Sequence, residues 1–198
     1  MKLSAIVASC ILVLAGAAAV RAQVVPAATA RQLSITAGGV VSVFQPEFTG
    51  NWFPPSPPVA ESSPFALIGV GAYADVRLSR WVQLEAEGRW QRFNQYNGVY
   101  QDNYLVGPRL PVYRIKRATV YAKALVGFSE MNFGTYYYGQ PAGHGRFTDL
   151  AFGGGVDIKM THRLSIRALD AEYQYYPDWG NTTLSPYGAS VGIGYRIF

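Results

Sequence analysis

Ile68-Gly69-Val70-Gly71-Ala72-Tyr73-Ala74-Asp75-Val76-Arg77-Leu78 is the stretch that decides the fold. Every second residue is apolar: Ile68, Val70, Ala72, Ala74, Val76 and Leu78. Between them stand Gly69, Gly71, Tyr73, Asp75 and Arg77, which are small, amphipathic or charged. A period of two belongs to a β-strand, whose successive side chains point to opposite faces. A helix would space its apolar residues three and four apart.

The pattern recurs downstream. Val82, Leu84, Ala86, Gly88 and Trp90 alternate with Gln83, Glu85, Glu87, Arg89 and Gln91. Val120 to Phe128 alternate with a face carrying Thr119, Tyr121 and Lys123, and Leu150 to Met160 with one carrying Asp149, Asp157 and Lys159. Four further strands are predicted over Gln32–Phe44, Asn103–Tyr113, Arg163–Tyr176 and Pro186–Phe198. In the seventh, the apolar frame slips between Ala168 and Leu169, which predicts a bulge of one extra residue. The fourth carries Pro108 and Pro111, which remove ladder donors.

Connection lengths alternate. Gln45–Pro64, Asn94–Asp102, Asn132–Arg146 and Pro177–Leu184 read as long loops, and the connections between them as tight turns. In an up-and-down sheet this gathers all loops at one end and all turns at the other. The reading is an all-β chain: an eight-stranded antiparallel up-and-down barrel.

Composition bounds the function. The 198 residues suit one domain. The net charge of +5 is spread without any Lys/Arg run, so no nucleic-acid footprint exists. Only 15% of residues are charged. Lys2, an apolar run from Ala5 to Val20, and Val20-Arg21-Ala22 before Gln23 suit a secretory leader. Cleavage is expected between Ala22 and Gln23, giving a signal peptide over residues 1–22 and a barrel domain over 23–198. Cys10 lies inside that leader, where a lipoprotein-type cleavage is the weaker alternative. The mature chain would then have no thiol, hence no disulfide and no Cys-based metal site.

Alternation leaves open which face is inside. A soluble lipocalin-type barrel turns its apolar face inward. Gly50-Asn51-Trp52 matches a short lipocalin sequence, but it follows the first strand instead of opening it. Three features favour the inverted arrangement. The polar face pairs opposite charges, Asp75, Arg77, Glu85, Glu87, Arg89, Lys123, Asp157, Lys159, Arg167, Asp170 and Glu172, which could neutralise one another in a closed interior. Aromatics gather near strand ends, as membrane interfaces favour: Trp81, Tyr113, Tyr121 and Tyr195 at the turn end, Trp90 and Tyr175 at the loop end. The chain also stops on a strand at Phe198. Hydrocarbon cannot satisfy a strand edge, so a spanning sheet must close.

With its leader, its eight strands, its loop and turn alternation and the ending Val191-Gly192-Ile193-Gly194-Tyr195-Arg196-Ile197-Phe198, the chain resembles the small OmpA-like outer-membrane barrel family. The resemblance implies a bacterial outer-membrane location, with outer-membrane lipid and the barrel-assembly machinery as partners. It also implies an assembly signal in Tyr195, Ile197 and Phe198, with Phe198 one residue out of the apolar frame.

Chemistry is sparse. His144 near Ser129 and Glu130 is the one set from which a hydrolytic triad could be imagined. The plainer reading makes His144 a solvated loop residue and the carboxylates structural ion pairs. No cofactor or metal is expected. The leading expectation is a non-enzymatic barrel presenting its loops at the surface, where a ligand could be held. A lipid-modifying enzyme, a narrow pore and a lipocalin-like carrier are the alternatives.

Overall fold

A computed structural model describes residues 34–46, 66–93, 98–133, 144–177 and 185–197. The expected leader with Ala22 and Gln23, most of the loop residues, and Phe198 lie outside them. Eight strands are present: β1 (Ser34–Gln45), β2 (Leu67–Arg77), β3 (Gln83–Gln91), β4 (Val99–Ile115), β5 (Ala118–Phe133), β6 (His144–Lys159), β7 (Leu164–Tyr175) and β8 (Tyr187–Arg196). Each pairs antiparallel with its chain neighbour. β1 closes on β8 through Thr36↔Arg196 to Gln45↔Tyr187, so the barrel has no open edge.

The three short connections sit at one end. Between β2 and β3, Ser79 Oγ accepts from the N–H groups of Trp81 (3.1 Å) and Val82 (3.0 Å). Thr161 Oγ1 does the same for Leu164 at 2.9 Å before β7. These hydroxyls hold the turn backbone where no ladder exists. Lys116, between β4 and β5, takes a left-handed φ of 48°. The strands run further than expected into two loops. Val99–Asp102 belongs to β4, where Val99 pairs with Phe133 of β5, while Asn132 and His144–Arg146 extend the β5–β6 ladder.

β4 accommodates its prolines. The β4–β5 register is the same on both sides of Pro108, Val106↔Val126 before it and Arg109↔Lys123 after it. Past Pro111↔Tyr121 the next pair is Tyr113↔Val120, so Val112 is an extra residue. The expected bulge in β7 is found with Ala168 as its extra residue. Leu169 pairs with Val156, and Arg167 with Asp157.

The two faces sort as the alternation requires, with the apolar one outside. Val41, Val43, Ile68, Val70, Val106, Val126, Phe152, Val191 and Ile193 are exposed around the barrel, whereas Glu85, Arg89, Lys123, Arg167, Asp170 and Glu172 are buried within it. A continuous apolar belt of this size is foreign to soluble monomers. A lipocalin would show the reverse arrangement.

Candidate functional site

The ion network of the lumen is built from inward positions of six strands. Arg89 on β3 donates to Glu172 on β7 through Nη1 (2.7 Å) and Nη2 (3.1 Å), and to Glu87 at 3.0 Å. Lys123 on β5 places its Nζ 2.8 Å from both Asp170 and Glu172, 3.1 Å from Glu87 and 3.4 Å from Glu85. Arg167 on β7 reaches Glu85 (3.1 Å), Asp75 (3.2 Å) and Asp170 (3.4 Å). Arg109 on β4 reaches Asp75 (2.8 Å), Asp157 (2.5 Å) and Glu85 (3.2 Å). The strands are therefore tied across the lumen as well as around the wall.

Burying an ion costs several kcal/mol, so such charges persist only when each is multiply paired. Here four cations face six carboxylates, and each cation touches at least two. Glu85, Glu87 and Asp170 hold ligand oxygens within 4.8 Å of one another, a spacing a metal ion could use. Lys123 Nζ already lies within ion-pair distance of all three. The chain's own ammonium fills the role of that cation.

Two tyrosines pack between these layers. The Arg167 guanidinium lies 3.6 Å from the Tyr73 ring centroid, and that of Arg109 lies 3.6 Å from Tyr121. Rings stacked on desolvated guanidinium groups add attraction. Space for them comes from glycine. A Cβ on Gly155 would stand 2.6 Å from the Tyr121 hydroxyl, and one on Gly194 would stand 2.5 Å from that of Tyr73. Tyr121, expected at the membrane interface, is thus a lumen residue, only 2% exposed. Nearness to a strand end suggested the interface, but Tyr121 shares the inward face of Thr119 and Lys123.

Toward the loop end the lumen closes with amides and hydroxyls, two of which hold the Asp149 carboxylate. Gln101 Nε2 donates to Gln174 Oε1 (2.6 Å) and Tyr176 Oη (2.7 Å). Asn103 Nδ2 donates to Ser129 Oγ (2.6 Å) and Asp149 Oδ2 (3.0 Å), and the Ser129 hydroxyl donates to Asp149 at 2.5 Å. This disposes of the imagined triad. Ser129 points inward to Asp149, while His144 is exposed, pairs with Asn132, and lies on the opposite face of the sheet. Glu130 is paired with Arg146.

The remaining residues singled out from sequence divide by position. Arg77 and Lys159 lie at the turn-end mouth, outside the ion network, and neither makes an ion pair among the described residues. Trp81 (62% exposed), Tyr113 (61%), Trp90, Tyr173 and Tyr195 are exposed. Tyr175, paired with Leu150, points outward and is partly exposed. Trp90 donates its indole N–H to Tyr104 Oη at 3.0 Å, and Arg163 donates to Tyr195 Oη at 3.2 Å. Ile197 shares the outward face of Tyr195 and donates its backbone N–H to Ile35.

Sequence reasoning missed Arg109, Arg114 and Arg196, and the inward amides Gln101 and Asn103 with their partners at the loop end. The prolines beside Arg109 masked its frame. The outward run Val106, Leu110 would have assigned it.

The sequence from residue 9 to residue 196 matches the family described as outer membrane protein beta-barrel domain. The chain belongs to that family. Its place is the bacterial outer membrane. Ail, the attachment invasion locus protein of Yersinia pestis, solved with the heparin analogue sucrose octasulfate, is 18% identical, with a TM-score of 0.47 over 83% of this chain and 97% of its own. Neisserial surface protein A is 14% identical at a TM-score of 0.49, over 82% of this chain and 96% of its own. The N-terminal barrel domain of Pseudomonas aeruginosa OprF is 13% identical at 0.44, over 80% and 96%. No protein of curated function matches.

Proposed function

We propose that this outer-membrane barrel is non-enzymatic, closed to solutes, and serves a structural or surface-presentation role through its long loops. The supporting observation is the lumen, where Arg89, Arg109, Lys123 and Arg167 span it in ion pairs with carboxylates of facing strands. An eight-stranded barrel has an interior that side chains can fill, and one crossed this way is expected to block a continuous water path. With the turns at one end in the periplasm, connections 47–65, 94–97, 134–143 and 178–184 face outside, where adhesion or a surface ligand would engage them. Outer-membrane lipid around the belt and an assembly machinery reading the last strand complete the proposed partners.

Planar-bilayer recording of the purified barrel, beside protease shaving of intact cells, tests this reading. It predicts no steady conductance and cleavage within 47–65 or 134–143. Steady unitary currents would replace it with the narrow-pore reading. Resistance of every loop to protease on intact cells would remove surface presentation. A lipid-modifying activity lost in His144→Ala would restore the enzyme reading.

A further inference from the structure

At the turn end each even-numbered strand carries an inward-facing basic residue at or beside its last position: Arg77 on β2, Arg114 on β4, Lys159 on β6 and Arg196 on β8. All four line one cavity of about 70 Å³ at the mouth of the lumen. On the odd-numbered strands the same cavity is lined by neutral polar groups, among them Thr36, Thr119 and Ser165. Arg114 belongs to this ring only because of the Val112 bulge. Beyond it the inward frame passes to Arg114↔Thr119, and Tyr113 turns outward.

These cations repel one another. Arg77 and Lys159 both feel the positive charges of Arg114 and Arg196. None of the four has an ion-pair partner among the described residues. Asp75 and Asp157 reach the cavity from its inner side, but both are held by Arg109 and Arg167. The Nε atoms of Arg77 and Arg196 are buried and make no hydrogen bond. Buried donors normally find partners, and a ring of like charges raises the free energy of the fold unless an anion offsets it.

We propose that this mouth binds a tetrahedral oxyanion of the phosphate class, held by Arg77, Arg114, Lys159 and Arg196. A cavity needs about 10–15 Å³ of such space to hold one water, so one of about 70 Å³ has room for a single phosphate group. Guanidinium forks match phosphate oxygens bidentately. The group can come from free phosphate in the periplasm or from the headgroup of an inner-leaflet phospholipid reaching over the rim.

Two measurements on the whole folded barrel in alkyl glucoside micelles separate these sources. The first follows the ³¹P linewidth of inorganic phosphate at constant ionic strength. The second follows retention of added phosphatidylglycerol by native mass spectrometry. In at least one arm the wild type binds, and Arg77→Gln with Arg196→Gln weakens binding about tenfold or more, as expected when charge-assisted bonds are removed. Lys159→Gln, at an exposed position, keeps the test alive if the double variant does not fold, and weakens binding by a smaller factor. Lys116→Gln, in a turn and away from the cavity, leaves binding unchanged. Loss in the phosphate arm identifies the free anion; loss in the lipid arm identifies the headgroup. No binding by wild type in either arm, or undiminished binding in the folded variants, overturns the proposal.

Discussion

Replacing Lys123 by Met removes the charge at the centre of the lumen while nearly keeping the volume. Its Nζ stands 2.8–3.4 Å from four carboxylates, those of Glu85, Glu87, Asp170 and Glu172. At an effective dielectric constant of about 20 and roughly 3 Å, each such pair attracts by about 5 kcal/mol before other effects. Two effects oppose this. Burying the ammonium costs several kcal/mol, and the carboxylates repel one another whether or not it is present. Breaking a buried pair by removing one partner typically leaves a net loss of about 3–5 kcal/mol, and that range is the expectation here.

The pH dependence distinguishes lost charge from lost packing. In Lys123→Met the crowded carboxylates are relieved when one of them takes up a proton. The folded variant then binds more protons than the unfolded chain, so its stability falls as pH rises. The gap to wild type should be widest near about pH 8 and narrower near about pH 5. Urea unfolding in lipid vesicles, followed by tryptophan fluorescence, measures it, with heat-modifiable gel migration confirming that both proteins start folded. An equal gap at both pH values would assign the loss to packing. No gap at either pH would refute the account of Lys123 as the shared counter-ion.

Three further outcomes follow from the same geometry. Glu172→Gln should cost about 3 kcal/mol, because Glu172 is held by both Arg89 nitrogens and by Lys123; Glu87→Gln should cost about 1 kcal/mol, because Glu87 Oε1 has no partner, and urea midpoints compare the two. Gly155→Ala should destabilise by about 1–3 kcal/mol, since the new methyl meets Tyr121 Oη and the Leu169 carbonyl. Deleting Ala168 should abolish the heat-modifiable band, and a normally migrating folded variant would show that the bulge is dispensable.

Much of this was legible in the sequence because a strand that spans a membrane and borders a filled lumen must alternate along its whole length. Ile68–Leu78 and Val82–Gln91 display that period without interruption, and they placed Asp75, Glu85, Glu87 and Arg89 on one face. Alternation says nothing of partners across the lumen, however. That Arg89 meets Glu172 and Arg167 meets Glu85 follows from closure and shear, properties of the whole sheet. Tyr121 was misassigned because its place along the strand was weighed above its face. Gln101 and Asn103 lie in what reads as a loop or at a strand's start, and neutral amides carry no sign to suggest that they pair with Gln174, Tyr176 and Asp149.

Single inserted residues decide which charges meet. Arg167 and Asp170 lie three apart, an odd separation that would put them on opposite faces of a regular strand. The extra Ala168 brings both inside, where each touches Lys123 or the carboxylates around it. Without it, one of the two would face lipid. An Arg there costs about 2–4 kcal/mol at mid-membrane, and the network would lose a member as well. Arg109 and Arg114 are five apart and both face inward, which Val112 alone permits. The regular alternation therefore makes the barrel, while its two irregularities set the charge pattern of its interior. The β7 bulge completes a lumen in which carboxylates outnumber cations. The β4 bulge adds the fourth member to a mouth whose outermost ring is wholly basic. An outward alternating face would serve any outer-membrane barrel, so what distinguishes this one lies where the alternation breaks.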